Sequence, residues 1–580
     1  MTDRSGDKRT NTDAGIYSDT DPFRIDSAVV HTHASKSVKG LMDTQTIQRR
    51  RWIILGVLVV GLLAIVIDNT VLNVALKTIA SPASKGGIGA SQSQLEWGLN
   101  SYTLVFAGLL FTFGIIGDRI GRKRVLMAGL VLFGLGSLFS AYSTSPDQLI
   151  AARAVMGLGG AAVMPQTLSI IANVFEPQER ARAIGIWTSA VGIGVAIGPV
   201  LGGLLLTHFW WGSVFLINVP VTVAGTAAAL LLVPESRNPA PGRIDYAGVL
   251  ASVLGLVLLV YGIVQGGDGA SWGSAGVLGP ALGGLAVLAL FAWYESRIEH
   301  PSLDVRLFKH RALSASVGSI ALLFFGMGGV YFFTSFYLQN VRGYSPLATG
   351  LLAVPFALGQ FVLSPRSASL VSRFGVRPVM FAGMIANAAA IGGWAFLDAS
   401  SPIWLVAVLF LVQGAGLGVA VPAATASVME ALPRERAGAG SALTNTARQV
   451  AVALSVAVLG SILSSAYRNS LNPTLAHLPA AERGTAGSSI TATQAIAVQL
   501  GHAGEFLLAP ANSAFVDAMR VTTAIAAVLA VAGGLAVLRW LPGRRRPTIE
   551  ELVAAEVEAA ERDLVETRVV LPDRPELSER

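Results

Sequence analysis

The chain has 580 residues, of which 53% are hydrophobic and 13% charged, where a soluble globular protein carries about 25% charged residues. That composition predicts a multi-spanning membrane protein and overrides the several soluble domains that length alone would suggest. There is no cysteine, which excludes disulfides, thiolate metal sites, CxxCH haem attachment and cysteine nucleophiles. With a few scattered histidines and no HExxH string, neither a metal nor another cofactor is expected.

Residues 1–48 are polar and rich in Ser, Thr, Asp and Lys, and read as a disordered tail. They are no signal peptide: the apolar run after Arg49, Arg50 and Arg51 is too long for one and ends without a small-residue cleavage site. A spanning helix needs about 20 largely apolar residues. Fourteen segments meet that requirement: 53–80, 97–116, 124–142, 147–174, 183–206, 213–233, 246–265, 275–294, 312–339, 346–371, 377–397, 402–429, 437–466 and 514–541. Residues 467–513 make the longest connection, rich in Ala, Ser, Thr and Gly, and 542–580 form a C-terminal tail. In that tail Thr548 and Glu551 have capping-box spacing ahead of a short Ala/Glu-rich helix.

An even count puts both termini on one side, and lysine and arginine choose which. The tails and the even-numbered loops hold most of the 42 basic residues. The opposite face holds Lys77, Lys85, Arg342, Arg468 and Arg483, while Arg153, Arg448 and Arg520 lie within or at the start of helices. Both ends are therefore expected to be cytoplasmic, with 467–513 outside. The net charge of +7 is a topology signal, and no nucleic-acid-binding motif accompanies it.

The chain also repeats itself. DRIGRKRVLMAGL at 118–130 aligns with SRFGVRPVMFAGM at 372–384, and PQERA at 177–181 with PRERA at 433–437. Gly157, Gly159 and Pro165 match Gly414, Gly416 and Pro422. The offsets are close enough to be one duplication. It pairs helices 1–6 (49–233) with helices 9–14 (312–541) and leaves two inserted helices in 234–311. Two six-helix halves related by a parallel repeat are the plan of major facilitator transporters, with substrate bound between the halves.

Six strings sharpen that reading. At 114–124, GIIGDRIGRKR runs a glycine-rich helix end into a basic turn. Gly121 suits a positive φ, and Asp118 can pair with the arginines or cap the next helix. With Gly114, Arg119, Arg122 and Lys123 the string resembles the loop 2–3 signature of the major facilitator superfamily, which implies a latch on the cytoplasmic side. Helix 5 carries GIWTSAVGIGVAIGPVLGGLL, where Gly194, Gly198 and Gly202 form a ladder for close helix approach and Pro199 permits a bend. With Gly203 it resembles the antiporter motif that marks exporters. IDNTVLNVAL at 67–76 resembles the helix 1 motif of the fourteen-helix drug:proton antiporter family, departing from it at Lys77, where that family has proline. RAVMGLGGAA from Arg153 resembles its RxxQGxGxA motif, with Met156 in the glutamine position. FLINVP at 215–220 is shared, although Gly212 and Ser213 replace the usual Arg-Trp. NTARQ at 445–449 is a further family string.

Depth arithmetic joins two of these motifs. Asp68 stands about 15 residues from the cytoplasmic end of helix 1, hence about 22 Å deep. Arg153, about six residues from the outer end of helix 4, lies about 20 Å from the cytoplasm in a core about 30 Å thick. Intramembrane charges face the bundle interior and pair, so Asp68 and Arg153 are expected to meet, either as a proton-coupling pair or as a structural one. Asn69, Asn73 and Arg448 are candidates for substrate contact or a polar network; Arg448 reads equally as a packing residue. The aromatic run YFFTSFY at 331–337 has two readings, a lining for a cavity that takes flat apolar compounds and a run facing lipid in part; the second is the expectation, and the run carries no site assignment.

The expectation is therefore an all-α membrane protein of the major facilitator fold, monomeric in the plasma membrane. By resemblance it acts as a proton-coupled exporter of hydrophobic or cationic small molecules. The alternative is a dedicated exporter of one metabolite or cell-envelope lipid. A primary pump would need a P-loop and an enzyme a clustered nucleophile or metal set; neither is visible. The expected partners are a small-molecule substrate, protons and the bilayer.

Overall fold

With no water in the bilayer core, every backbone N–H and C=O must be satisfied within the chain, and helices do this segment by segment. The computed structural model describes residues 27–237, 245–298, 305–431 and 437–541. The expected helix after Thr548 lies outside these residues, as does most of the 433–437 string. Among the described residues the secondary structure is entirely helical.

The first half contains α1 (Ser27–Ala80), α2 (Gln92–Ile120), α3 (Arg122–Ala141), α4 (Pro146–Val174), α5 (Pro177–His208), the short α6 (Ser213–Leu216) and α7 (Asn218–Leu232). Next come α8 (Tyr246–Gly267) and α9 (Ala275–Glu295). The second half contains α10 (Arg311–Phe336), α11 (Pro346–Leu352), α12 (Val354–Phe374), α13 (Val376–Gly393), α14 (Ile403–Glu430), α15 (Ala437–Leu475), α16 (Ala480–Ala486), α17 (Ile490–Gln499) and α18 (Leu508–Trp540). Of the described residues, those from Ser27 to Trp52 fall in a unit of their own, and in it α1 is helical from Ser27, within the stretch whose composition suggested disorder. Local sequence sets several starts. Ser91 caps α2 in a reciprocal capping box with Gln94, and Ser145 caps α4 with Pro146 at its first position.

Twelve helices among the described residues are long and apolar enough to cross a membrane, or thirteen with the bent pair Gln92–Leu110 and Thr112–Ile120 counted as one span. The expected fourteen is not reached on this measure, since in α5 the apolar stretch that stands out is only Ile193–His208.

One stretch the sequence left open is filled in, and one expectation needs correction. The 467–513 connection is largely helical: α15 runs on to Leu475, followed by α16, α17 and a 3-10 turn over Gly501–Leu507. Tyr467 Oη and Thr493 Oγ1, 2.6 Å apart, tie it to α15, and Asn340 Nδ2 donates to Gln494 Oε1 at 2.9 Å. Its small polar residues carry no apolar period, so these helices were invisible in the sequence. The YFFTSFY run is not on the lipid face. Phe332, Phe333, Phe336 and Tyr337 are all buried, and Phe333 and Tyr337 pack edge-on against Trp394.

The duplication is written into the packing. Gly121 and Gly375 both break the chain between two helices with positive φ, 124° and 90°, a region open to glycine. Gly129 of α3 lies against the Gly159 carbonyl of α4, and Gly383 of α13 against the Gly416 carbonyl of α14. Gly157 meets the Tyr102 backbone as Gly414 meets that of Phe356. The same small-residue contacts thus set the same helix pairs in each half.

Candidate functional site

Asp68 and Arg153 come together. Arg153 Nη1 donates to Asp68 Oδ2, and the two residues are 2% and 1% exposed, so the pair is dry. Asn218 Nδ2 donates to Asp68 Oδ1 and to Ser137 Oγ, both at 3.1 Å, and Ser137 Oγ in turn donates to the Phe215 carbonyl at 2.8 Å. The guanidinium is held by more than its counter-ion. Nε donates to the Gly98 carbonyl at 3.2 Å, the Tyr102 ring lies 4.4 Å beneath it, and the Met156 sulfur is 3.8 Å from Nη1. Methionine in the glutamine position thus still faces the arginine.

Next along α1, Asn69 Nδ2 donates to Tyr102 Oη at 3.1 Å, and one turn further Asn73 Nδ2 donates to the Asn69 carbonyl at 3.1 Å. Arg448 is not part of this network. Its Nη2 donates to Asn445 Oδ1 at 2.7 Å and its guanidinium lies 5.3 Å from the Phe324 ring, both in the second half. Asn218, Ser137 and Tyr102 were not singled out from the sequence, although Asn218 stands in the FLINVP string.

The α5 ladder packs directly on the helix that carries Asp68. Gly194 lies against Val66, Gly198 against Thr70 and the Ile67 carbonyl, and Gly202 against Val71. On its other side α5 meets the second half: Gly203 contacts Pro346 and Leu347, and Gly350 contacts the Pro199 carbonyl. Nearby, Lys77 Nζ donates to the Gln339 carbonyl at 2.6 Å and Gln339 Nε2 to the Val74 carbonyl at 2.9 Å. Lys77, the departure from the family pattern, therefore bonds the end of α1 to the π-helical turn Tyr337–Val341. Between the halves lies a small cavity lined by Thr70, Asn73 and Pro199 on one side and Tyr331, Thr334 and Phe410 on the other.

The basic turn is built at the opposite end. Arg122 Nε and Nη2 reach Asp118 Oδ1 at 2.9 and 2.8 Å, and Arg122 Nη1 donates to the Ser169 carbonyl of α4 at 3.3 Å. Lys123 Nζ donates to the Leu230 carbonyl at 2.7 Å and Arg124 Nε lies 3.6 Å from Glu235 Oε2. Gly114 touches Pro165 of α4. Arg122 thus ties α3 to Asp118 of α2 and to α4, and Arg119 stands beside Asp118 at the exposed surface.

Removing one partner of a buried ion pair costs about 3–5 kcal/mol, because the other charge is left uncompensated. Arg153→Ala should therefore lower the midpoint of thermal unfolding of the purified protein markedly. Asp68→Asn added to Arg153→Ala should recover much of the loss. A double variant no more stable than Arg153→Ala alone would show that the two side chains are not energetically coupled.

Repeated helical halves, glycine contacts between them and a dry ion pair inside the first half define a membrane protein of the transporter type. The chain belongs to the Major Facilitator Superfamily, whose family model matches residues 58–456. It is similar to the multidrug efflux pump LfrA of Mycolicibacterium smegmatis, 34% identical over 508 residues, 87% of this chain and 99% of that protein. It is likewise similar to the methyl viologen resistance protein SmvA of Salmonella typhimurium, 33% identical over 477 residues, 80% of this chain and 93% of that one. Among solved structures it resembles the inward-facing, unoccupied form of a bacterial homologue of the human lysosomal transporter Spinster. That likeness has a TM-score of 0.58 at 19% identity and covers 85% of this chain and 99% of that one; it bears on the fold alone.

Proposed function

We propose that this protein is a proton-coupled exporter of hydrophobic or cationic small molecules. In this reading it works as a monomer in the plasma membrane, with fourteen spans and both termini cytoplasmic. The observation that carries the proposal is the Asp68 carboxyl. It is buried against Arg153 and Asn218 on a helix whose neighbour, α5, touches the other half. A change in how the halves meet is therefore transmitted through the α5 ladder to the proton site. The names of the relatives, a multidrug efflux pump and a methyl viologen resistance protein, support export of foreign compounds.

Arg153 lowers the cost of the ionised carboxylate, and a proton on Asp68 releases the guanidinium to its Gly98 and Tyr102 contacts. Protonation and substrate occupancy then compete through α1, because Asn73 and Thr70 on the same helix line the cavity between the halves. That cavity, about 20 Å³, holds a water but no drug-sized ligand. Substrate enters only when the halves part at the basic end. Thr70, Asn73, Tyr331 and Phe410 would then form an amphipathic wall suited to flat cations. The test is substrate-stimulated proton movement by the purified protein in liposomes without ATP; no such movement with any efflux substrate removes the proposal.

Orientation has its own test, since the native chain lacks cysteine. Single cysteines at Thr144, Thr485 and Ser372, all exposed, and at Ser5 in the N-terminal tail can be probed in intact cells with an impermeant thiol reagent. Labelling is expected at 144 and 485 and not at 372 or 5. The reverse pattern would invert the topology, and a mixed one would break the even count of spans.

A further inference from the structure

A second carboxyl lies buried in the seam between the halves, away from the Asp68 site. Gly98 and Tyr102 of α2 turn toward Arg153, whereas Glu96, Asn100 and Leu104 recur every four residues and form a separate stripe. Leu104 packs with Leu256, Val260 and Val264 of α8 and with Ala453 and Ala457 of α15. At Gly460 of α15 a Cβ would sit 2.7 Å from the Glu96 carboxyl carbon. The stripe therefore faces α15, at the end of the molecule opposite the Asp118 turn.

Glu96 is 1% exposed and Asn100 is 0% exposed. Glu96 Oε2 and both amide atoms of Asn100 have no hydrogen-bond partner. Orphaned polar atoms this deeply buried are rare and call for a cause. The charged and titratable neighbours do not neutralise the carboxyl. Just past the end of α8 stands Asp268, held by Ser93 Oγ at 2.9 Å, and from α8 itself comes Tyr261, whose ring is 6.2 Å from that of Trp97. From α15 comes Arg468, which donates to the Gly267 carbonyl at 2.9 Å and makes no bond to Glu96. Phe332 of α10, which also approaches Gly460, brings no charge. An ionised carboxylate in this seam would carry an unpaired charge at a cost of several kcal/mol, with Asp268 adding a like charge. The neutral acid avoids both costs.

We propose that Glu96 is a second proton-binding site of the transport cycle, separate from Asp68. The seam between α2 and α15 closes over the protonated acid, and the proton leaves to water on that side when the seam opens. Closure at this end is then driven by the proton concentration outside, which is the sense an exporter needs to return empty. The side assigned to the seam rests on the orientation proposed above.

The test is a distance measurement, so it does not depend on transport. Spin labels on cysteines at Thr144 and Thr485, exposed residues of the first and second halves at this end, report whether the seam is closed in substrate-free protein. In the otherwise wild-type chain the short-distance population should fall as pH rises, with the closed-to-open ratio changing by at most about tenfold per pH unit for one proton. Glu96→Gln, a permanent mimic of the neutral acid, should stay closed at alkaline pH. Glu96→Asp should restore the dependence, and Asp68→Asn should leave it in place. A wild-type ratio insensitive to pH, a Glu96→Gln protein that titrates like wild type, or a dependence removed by Asp68→Asn or Asp268→Asn alone would each overturn the proposal. Failure of the exporter reading would appear in the liposome assay and leave these distances unchanged.

Discussion

Asp68→Asn is expected to reduce proton-driven transport to the level of protein-free vesicles while the protein still folds and inserts. The amide keeps the size and shape of the carboxyl, and its single oxygen can still accept from Arg153, while its NH2 takes the place of the oxygen that accepted from Asn218; it cannot exchange a proton at any working pH. The substitution leaves a guanidinium charge in a dry site, normally a severe penalty. Here Arg153 retains the Gly98 carbonyl at 3.2 Å and the Tyr102 ring at 4.4 Å, which keep it solvated by protein. Substrate binding measured at equilibrium should therefore survive, and the proton release that accompanies binding should vanish. Normal pumping against a gradient by Asp68→Asn would move the proton site elsewhere.

Gly198→Leu is expected to have a comparable effect by a different route. A Cβ at this position meets the Thr70 hydroxyl and lies 2.9 Å from Thr70 Cβ and 3.2 Å from the Ile67 carbonyl. A leucine must push α5 off α1 next to Asp68. Overpacking of this kind costs about 1–3 kcal/mol, enough to shift a conformational equilibrium by roughly 5–150-fold without unfolding the bundle. The variant should insert at normal levels and lose most export, with Gly198→Ala intermediate. Gly276→Leu on α9, where the added Cβ meets nothing within 4 Å, should export normally. Equal loss in both leucine variants would mean that the ladder has no special role.

Much of this was legible in the sequence because membranes impose simple rules. Apolar length set the helices, and charge depth was enough to match Asp68 with Arg153 across two helices. The paired offsets of Gly121 with Gly375 and Gly129 with Gly383 foretold a repeated turn and a repeated helix contact, and the structure shows both. What stayed hidden depends on convergence in three dimensions. Asn218, Ser137 and Tyr102 reach the ion pair from α7, α3 and α2, and no spacing in the chain relates them. Glu96 lay one residue outside the expected second span and was not singled out, because its burial comes from α15, far away in sequence. The lipid-facing assignment of the 331–337 aromatics failed for the same reason: Trp394 and Phe410, which cover them, belong to other helices.

In the proposed cycle a proton gradient alone drives export through Asp68. Inside-out membrane vesicles with an acidic lumen, free of ATP, test it most directly by the uptake of a fluorescent cationic dye. Dye should accumulate with the wild-type protein, be lost when the pH gradient is dissipated, and not accumulate with Asp68→Asn. Accumulation that persists without the gradient, requires ATP or survives in Asp68→Asn would contradict it.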